Sequence, residues 1–214
     1  MLRVLSFTEK GDHRANEDAL LTCPHRADPA CLLVCLADGQ GGRAGGARAA
    51  RLACKTLLAA AAACPVEQLV RGDTWMSLIR RADEAVAADA EAGFTTLVGC
   101  CVCRGALVGA SGGDSAVFVW SGGRVEEPTR RQHKDPPVGS GAAFFVPFVR
   151  PLQQPWRVLA MSDGVWKYGG ADRLRELIAA ESGRALLDAI TAAGRLPGSG
   201  KFADDFTLAL VEET

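Results

Sequence analysis

Two apolar runs of strand length each end abruptly on an acidic residue followed by glycine. Cys31 to Ala37 (CLLVCLA) runs into Asp38-Gly39, and Arg157 to Met161 runs through Ser162 into Asp163-Gly164. A short continuous apolar run between polar segments reads as a buried strand. A strand end is a rigid mount, and the turn beyond it reaches the surface. A carboxylate placed there is costly if desolvated alone, yet well placed to ligate a hard cation. The glycine that follows lets the backbone turn sharply and leaves its carbonyl or amide open to a metal or substrate.

The other elements follow from periodicity and turn chemistry. Leu2 to Thr8, Ala19 to Cys23, Thr95 to Cys103, Ala106 to Ala110, Ala116 to Trp120 and Phe206 to Val211 read as strands. Ser121-Gly122-Gly123 signals a hairpin turn into Arg124 to Glu127. After Gln40 a glycine-rich loop, Gly41 and Gly42 included, feeds an Ala-rich helix that runs to about Ala63, where small side chains allow close packing. A further helix begins after Pro65, with Met76, Ile79, Ala82 or Asp83, Val86 and Ala90 on its apolar face. Asp73 or Thr74 suits its cap and Gly93 its stop. Two more helices are expected at about Asp172 to Ala180 and Leu186 to Ala193, the second capped by Ser182 and stopped by Gly194. Pro128 to Pro155 reads as irregular, with a strand at Phe144 to Val149. Strands clustered on each side of helix pairs point to an α+β fold with antiparallel sheet rather than βαβ alternation. No repeat or linker interrupts residues 1–214, so one domain is expected.

Further acidic residues flank strands in the same manner. Asp114 sits between two strand runs, Asp204 and Asp205 precede the last strand, and Glu17 and Asp18 precede the second. Singly, each is an ordinary turn residue. Together, and without a matched His/Cys set, they favour Mg²⁺ or Mn²⁺ over zinc.

Charge and cysteine usage narrow the classes. Lys+Arg 24 against Asp+Glu 25 leaves no basic field for nucleic acid or an anionic membrane. The opening Met-Leu-Arg-Val-Leu-Ser lacks the parts of a signal peptide, so a cytoplasmic protein with reduced cysteines is expected. No run approaches the ~18–20 apolar residues of a membrane span. Cys101 and Cys103 would share a strand face with Cys100 opposite, as core residues rather than a metal set. Gly39-Gln40-Gly41-Gly42-Arg43-Ala44 formally fits a dinucleotide fingerprint. It lacks the acidic residue at about 20 residues' spacing on a second strand, and Asp38 would repel a pyrophosphate.

Asn16-Glu17-Asp18-Ala19, Leu36-Ala37-Asp38-Gly39-Gln40-Gly41-Gly42, Phe94-Thr95-Thr96, Gly113-Asp114-Ser115, Met161-Ser162-Asp163-Gly164-Val165-Trp166 and Asp204-Asp205-Phe206-Thr207 follow one another along the chain. In that order they resemble the blocks of the protein phosphatase 2C (PPM) family, as does Thr129 to His133 in a Thr-x-x-x-His segment. The resemblance implies a four-layer α/β/β/α sandwich of two antiparallel sheets flanked by helices, with a metal cluster at one end. It implies that Asp38 bridges two Mn²⁺ or Mg²⁺ ions, and that Asp163 and Asp204 complete one coordination sphere. The Gly39 carbonyl would serve the other, with Glu17 or Asp18 ligating or holding its waters. Asp114 resembles a carboxylate that in many relatives joins Asp163 in holding a third, weaker ion. A water shared by the two metals would attack phosphoserine or phosphothreonine on a protein, opposing a serine/threonine kinase. A monomer is expected, and the Ala-, Gly- and Arg-rich composition fits a bacterial source.

Two departures matter. Many relatives carry His at the position of Gln40, where it can serve as general acid; an amide cannot. The family often has a phosphate-binding Arg about five residues before its first motif's Asp. Here His13 stands in that place with Arg14 next to it, and Arg14 is the preferred candidate because guanidinium grips phosphate. The segment at 128–155 lies where relatives carry a flap. A short flap predicts an open site, low peptide selectivity and acceptance of a small aryl phosphate. The competing reading is a phosphatase-like module that binds a phosphoprotein without turnover, which would have no need to keep Asp38, Asp163 and Asp204. His25 reads as a surface loop residue and His133 as a structural one.

Overall fold

The computed structural model describes residues 2–40 and 45–213. Gly41 and Gly42 of the expected glycine-rich loop lie outside the described residues. The element order is β1 (Leu2–Glu9), β2 (Ala19–Pro24), β3 (Leu32–Ala37), α1 (Gly46–Ala63), α2 (Val66–Leu69), α3 (Gly72–Ala87), β4 (Leu97–Cys103) and β5 (Ala106–Gly112). Then come β6 (Ala116–Ser121), β7 (Arg124–Glu126), β8 (Val146–Pro151), β9 (Trp156–Met161), α4 (Asp163–Gly169), α5 (Ala171–Ala180), α6 (Gly183–Gly194) and β10 (Phe206–Glu213). Two five-stranded sheets form, ordered β1-β10-β9-β6-β7 and β2-β3-β4-β5-β8, and every pairing in them is antiparallel.

The alternation of side chains along each central strand explains the four layers. In β4, Leu97, Cys101 and Cys103 face α1 and α3, while Val98, Cys100 and Val102 face the other sheet. In β9 and β10, Leu159, Met161, Leu208 and Leu210 face α4–α6, while Val158, Ala160, Ala209 and Val211 point between the sheets. Central strands buried on both faces have no polar side, which is why they read as unbroken apolar runs. The architecture is the expected α/β/β/α sandwich. Ala49, Ala50 and Ala53 let α1 lie close on its sheet.

Several local expectations shift. Asp163-Gly164 is not a free turn: Asp163 opens α4, with Ser162 in the N-cap position. A seven-residue helix is too short to show a 3.6 period. α3 starts at Gly72 behind Arg71, and it ends before Gly93, with Ala88 as C-cap. Ser182 holds the N-cap position of α6, but its side chain makes no capping bond. β8 runs Val146–Pro151, two residues later than expected, as an edge strand. An edge tolerates Pro147 and Pro151, which cannot donate to a ladder. His25 is buried rather than on the surface: its Nδ1 accepts the Ala27 N–H (3.2 Å) and its Nε2 bonds the Cys64 carbonyl (2.9 Å). Among the described residues no helix is long and apolar enough to cross a membrane.

Candidate active site

Asp38 leaves β3 with its backbone clamped on both sides. Its N–H donates to Thr96 Oγ1 (2.9 Å), and its carbonyl accepts Thr96 N–H (2.8 Å) and the Thr95 hydroxyl (2.7 Å). Thr96 Oγ1, having accepted from Asp38, can donate to Ser115 Oγ at 2.6 Å, which ties the end of β3 to the β5–β6 turn. Gly39 is needed for close approach. A Cβ there would lie 2.5 Å from the Gly46 carbonyl carbon and 2.7 Å from the Glu17 carbonyl oxygen.

That β5–β6 turn carries Asp114, whose carbonyl accepts the Trp166 indole N–H from α4 (2.9 Å). Asp204 stands just before β10, with His13 Nε2 3.0 Å from its Oδ1. Asp205, 5% exposed, borders the same cavity and fastens the β1–β2 loop. It accepts Gly11 N–H at 2.8 Å and Glu17 N–H at 2.6 Å. The loop bearing His13, Glu17 and Asp18 is thereby held against the start of β10.

The strand ends and α4 enclose a cavity of about 360 Å³. Asp38, Asp114, Asp163 and Asp204 line it, together with Gly39, Gln40 and His13. Arg14 is exposed and is not in the lining. Glu17 and Asp18 lie outside the lining as well, but Asp18 feels both Asp38 and Asp163. Both carboxylate oxygens of Asp18, and Glu17 Oε2, are shut off from solvent with no hydrogen bond of good geometry among the described residues.

The electrostatics are those of crowded carboxylates. Burial pushes Asp18 up to about 7, with the charges of Asp205 and Asp163 adding and the nearby Thr207 and Ser162 hydroxyls opposing. Burial, then the charges of Asp18 and Asp163, raise Asp38 well above the usual carboxylate range. Glu17 is raised by burial and by Asp205. For His13, burial lowers the pKa, but the hydrogen bond and charge of Asp204 outweigh it and the net shift is upward. Among the described residues no group of three or more His, Cys, Asp or Glu side chains stands as a ready-assembled ligand set. The donors are nonetheless all oxygen, and their repulsion and orphaned atoms are what a hard cation relieves.

The family pattern described as Protein phosphatase 2C matches residues 10–136, more than half of the chain. The chain belongs to the protein phosphatase 2C family. Comparison with curated proteins finds no match. Among solved structures, a bacterial serine phosphatase is similar over 99% of this chain and 98% of its own, at 20% identity and a TM-score of 0.82. The serine/threonine phosphatase Stp1 from Staphylococcus aureus is 21% identical, with coverage of 100% and 96% and a TM-score of 0.79. The Mycobacterium tuberculosis serine/threonine phosphatase PstP/Ppp is 21% identical, with coverage of 99% and 98% and a TM-score of 0.76. At such identities the neighbours show a shared protein phosphatase 2C fold.

The segment placed at the family's flap contributes Lys134, Asp135 and Pro137 to the cavity wall. It is fastened from beneath. Val138 and Thr95 exchange backbone bonds of 3.0 and 3.1 Å, and buried Asp83 on α3 accepts the N–H groups of Gly139, Gly141 and Ala143 at 2.6, 3.3 and 3.2 Å. His133 is exposed: its carbonyl accepts Gly113 N–H (2.9 Å), its ring packs edge-on against Phe144, and it does not line the cavity. Sequence reasoning named Asp83 and Asp205 without their loop-fastening roles, read Lys134 as a loop cation, and missed Lys167. Lys167, four residues after Asp163 on one helix, had a readable signal as an i,i+4 acid–base pair, had the helix been recognised.

Proposed function

We propose that the chain hydrolyses phosphoserine and phosphothreonine esters on proteins in a Mg²⁺- or Mn²⁺-dependent reaction, its residues acting as one catalytic domain and as a monomer. The observation that supports this most directly is the arrival of Asp38, Asp163 and Asp204 at one cavity from three distant chain segments. Membership of the protein phosphatase 2C family supports the reaction class, and the phosphoproteins of a serine/threonine kinase are the matching substrates.

The residues present fit hard divalent ions. Asp38, Asp163 and Asp204 would hold them from the cavity wall, with the Gly39 carbonyl and the unpartnered oxygens of Glu17 and Asp18 behind. When bound, such ions bring a water toward ionisation near neutral pH and offset charge on the phosphoryl oxygens.

The chain's own groups set the frame for that chemistry. Thr95 and Thr96 fix the Asp38 backbone, which limits how far its carboxylate must move to meet an ion. His13 is the cavity-lining candidate for a phosphoryl oxygen, and the acidic groups around it favour its cationic form. Arg14, outside the lining, would meet only the outer part of a phosphosubstrate. The Gln40 amide can donate a hydrogen bond to a leaving oxygen but carries no acidic proton, so that oxygen takes its proton from water.

The test is hydrolysis of p-nitrophenyl phosphate and a phosphothreonine peptide with Mn²⁺, with EDTA, and by Asp38→Asn. Turnover is expected only for the unaltered chain with Mn²⁺, with a loss on the order of 10³-fold in the variant. Hydrolysis that persists in EDTA would overturn the reading.

A further inference from the structure

Two ammonium groups stand against one corner of the acidic cavity. Lys134 Nζ donates to Asp114 Oδ2 at 2.6 Å. Lys167 Nζ lies 3.4 Å from the same oxygen and also donates to Asp163 Oδ2. The lysines reach Asp114 from different elements, Lys167 from α4 and Lys134 from the segment between β7 and β8. The corner is braced. The Trp166 indole holds the Asp114 carbonyl, and the Lys167 ammonium lies 5.5 Å from the Trp166 ring centre.

The charges are therefore divided unevenly. Among the described residues Asp18 and Asp38 have no cationic side chain bonded to them, and the one bonded to Asp204 is His13. Asp114 accepts two ammoniums on a single oxygen, and Asp163 shares one of them. A divalent ion arriving at Asp114 must expel an ammonium or sit against it, and like charges at such range repel strongly in a partly desolvated wall. Because Lys167 contacts both carboxylates, Asp163 can give up its share of that ammonium while Asp114 keeps it.

We infer that Lys134 and Lys167 are built-in cations of the Asp114 corner, so that the chain binds divalent ions at the Asp38 end and takes two rather than three. The inference rests on the metal reading proposed above. It separates this chain from the relatives in which Asp114's counterpart helps to hold a third ion.

Mn²⁺ stoichiometry decides it, measured by equilibrium dialysis with metal analysis and by titration calorimetry. The proteins are the unaltered chain, Lys134→Met, Lys167→Met, the double variant, and the double variant with Asp114→Asn. Two ions are expected in the unaltered chain. In the double variant a third should bind at least about tenfold more tightly than any ion beyond the second in the unaltered chain. Adding Asp114→Asn should abolish it. Three ions in the unaltered chain, or no gain in the double variant, would overturn the inference and leave the metal reading standing. No bound ion in the unaltered chain would overturn both. Both lysines are exposed and methionine keeps their apolar stems. Should the double variant fail to fold, the stoichiometry of the unaltered chain still decides.

Discussion

Gly164 is the second residue of α4 and packs against the chain that enters β10. A Cβ at this position would lie 2.1 Å from the Asp205 carbonyl oxygen, 3.1 Å from its carbonyl carbon and 3.3 Å from Asp204 Cβ. To reach ordinary contact at 3.4 Å, the two segments would have to part by about 1.3 Å. They are not free to do so. Ser162 N–H donates to the Thr207 carbonyl at 2.9 Å, and Thr207 N–H donates to Ser162 Oγ at 3.1 Å, which ties the entry of α4 to β10 beside the contact. The displacement must pass into Asp163 or Asp204, which border the clash on either side. A misplacement near 1 Å costs roughly 10²-fold in rate, and overpacking costs about 1–3 kcal/mol. Gly164→Ala should therefore lower kcat on p-nitrophenyl phosphate with Mn²⁺ by about 100-fold and stability in EDTA by about 1–3 kcal/mol, read from urea unfolding. Gly169→Ala on the same helix is the control. There the nearest neighbour is the flexible Leu174 Cδ2 at 3.4 Å, and the kcat should not move. A Gly164→Ala protein with kcat within about threefold of the unaltered chain would refute the argument that this contact sets the carboxylate spacing.

Asp83→Ala removes the acceptor for three backbone N–H groups and should cost about 3–5 kcal/mol, with faster amide hydrogen exchange at Gly139, Gly141 and Ala143. Unchanged protection at those amides would show that the segment is held by other contacts. His25→Ala leaves the Cys64 carbonyl at the end of α1 without its partner, for an expected loss of about 1–3 kcal/mol read as a lower urea midpoint. A midpoint equal to that of the unaltered chain would contradict a structural role for this histidine.

Much of the fold was legible in the chain because its central strands are buried on both faces. β3 and β4 carry no polar side chains, and β9 and β10 hold the apolar runs Val158–Met161 and Leu208–Val211, so their positions follow from local apolar runs. The candidate carboxylates were legible for a related reason: each stands beside the start or the end of a strand run. Elements with weak local signals were harder to place. α4 has only seven residues, and β8 lies at an edge among prolines, where neither period is visible. His25 offered no local sign of burial, since what covers it is the end of a helix many residues away.

The amino-acid order by itself determined the central strands, the α+β class and the set of acidic residues at strand ends, because side-chain period and turn chemistry act over a few neighbouring residues. Only the tertiary structure decided that Asp38, Asp163 and Asp204 share a cavity, that Asp205 and Asp83 fasten the loops around it, and that two lysines converge on Asp114. Those relations depend on how one sheet packs on another and where loops return. Strand pairing and sheet stacking join segments far apart in the chain, and no local pattern encodes the distance between side chains that meet only when the core closes.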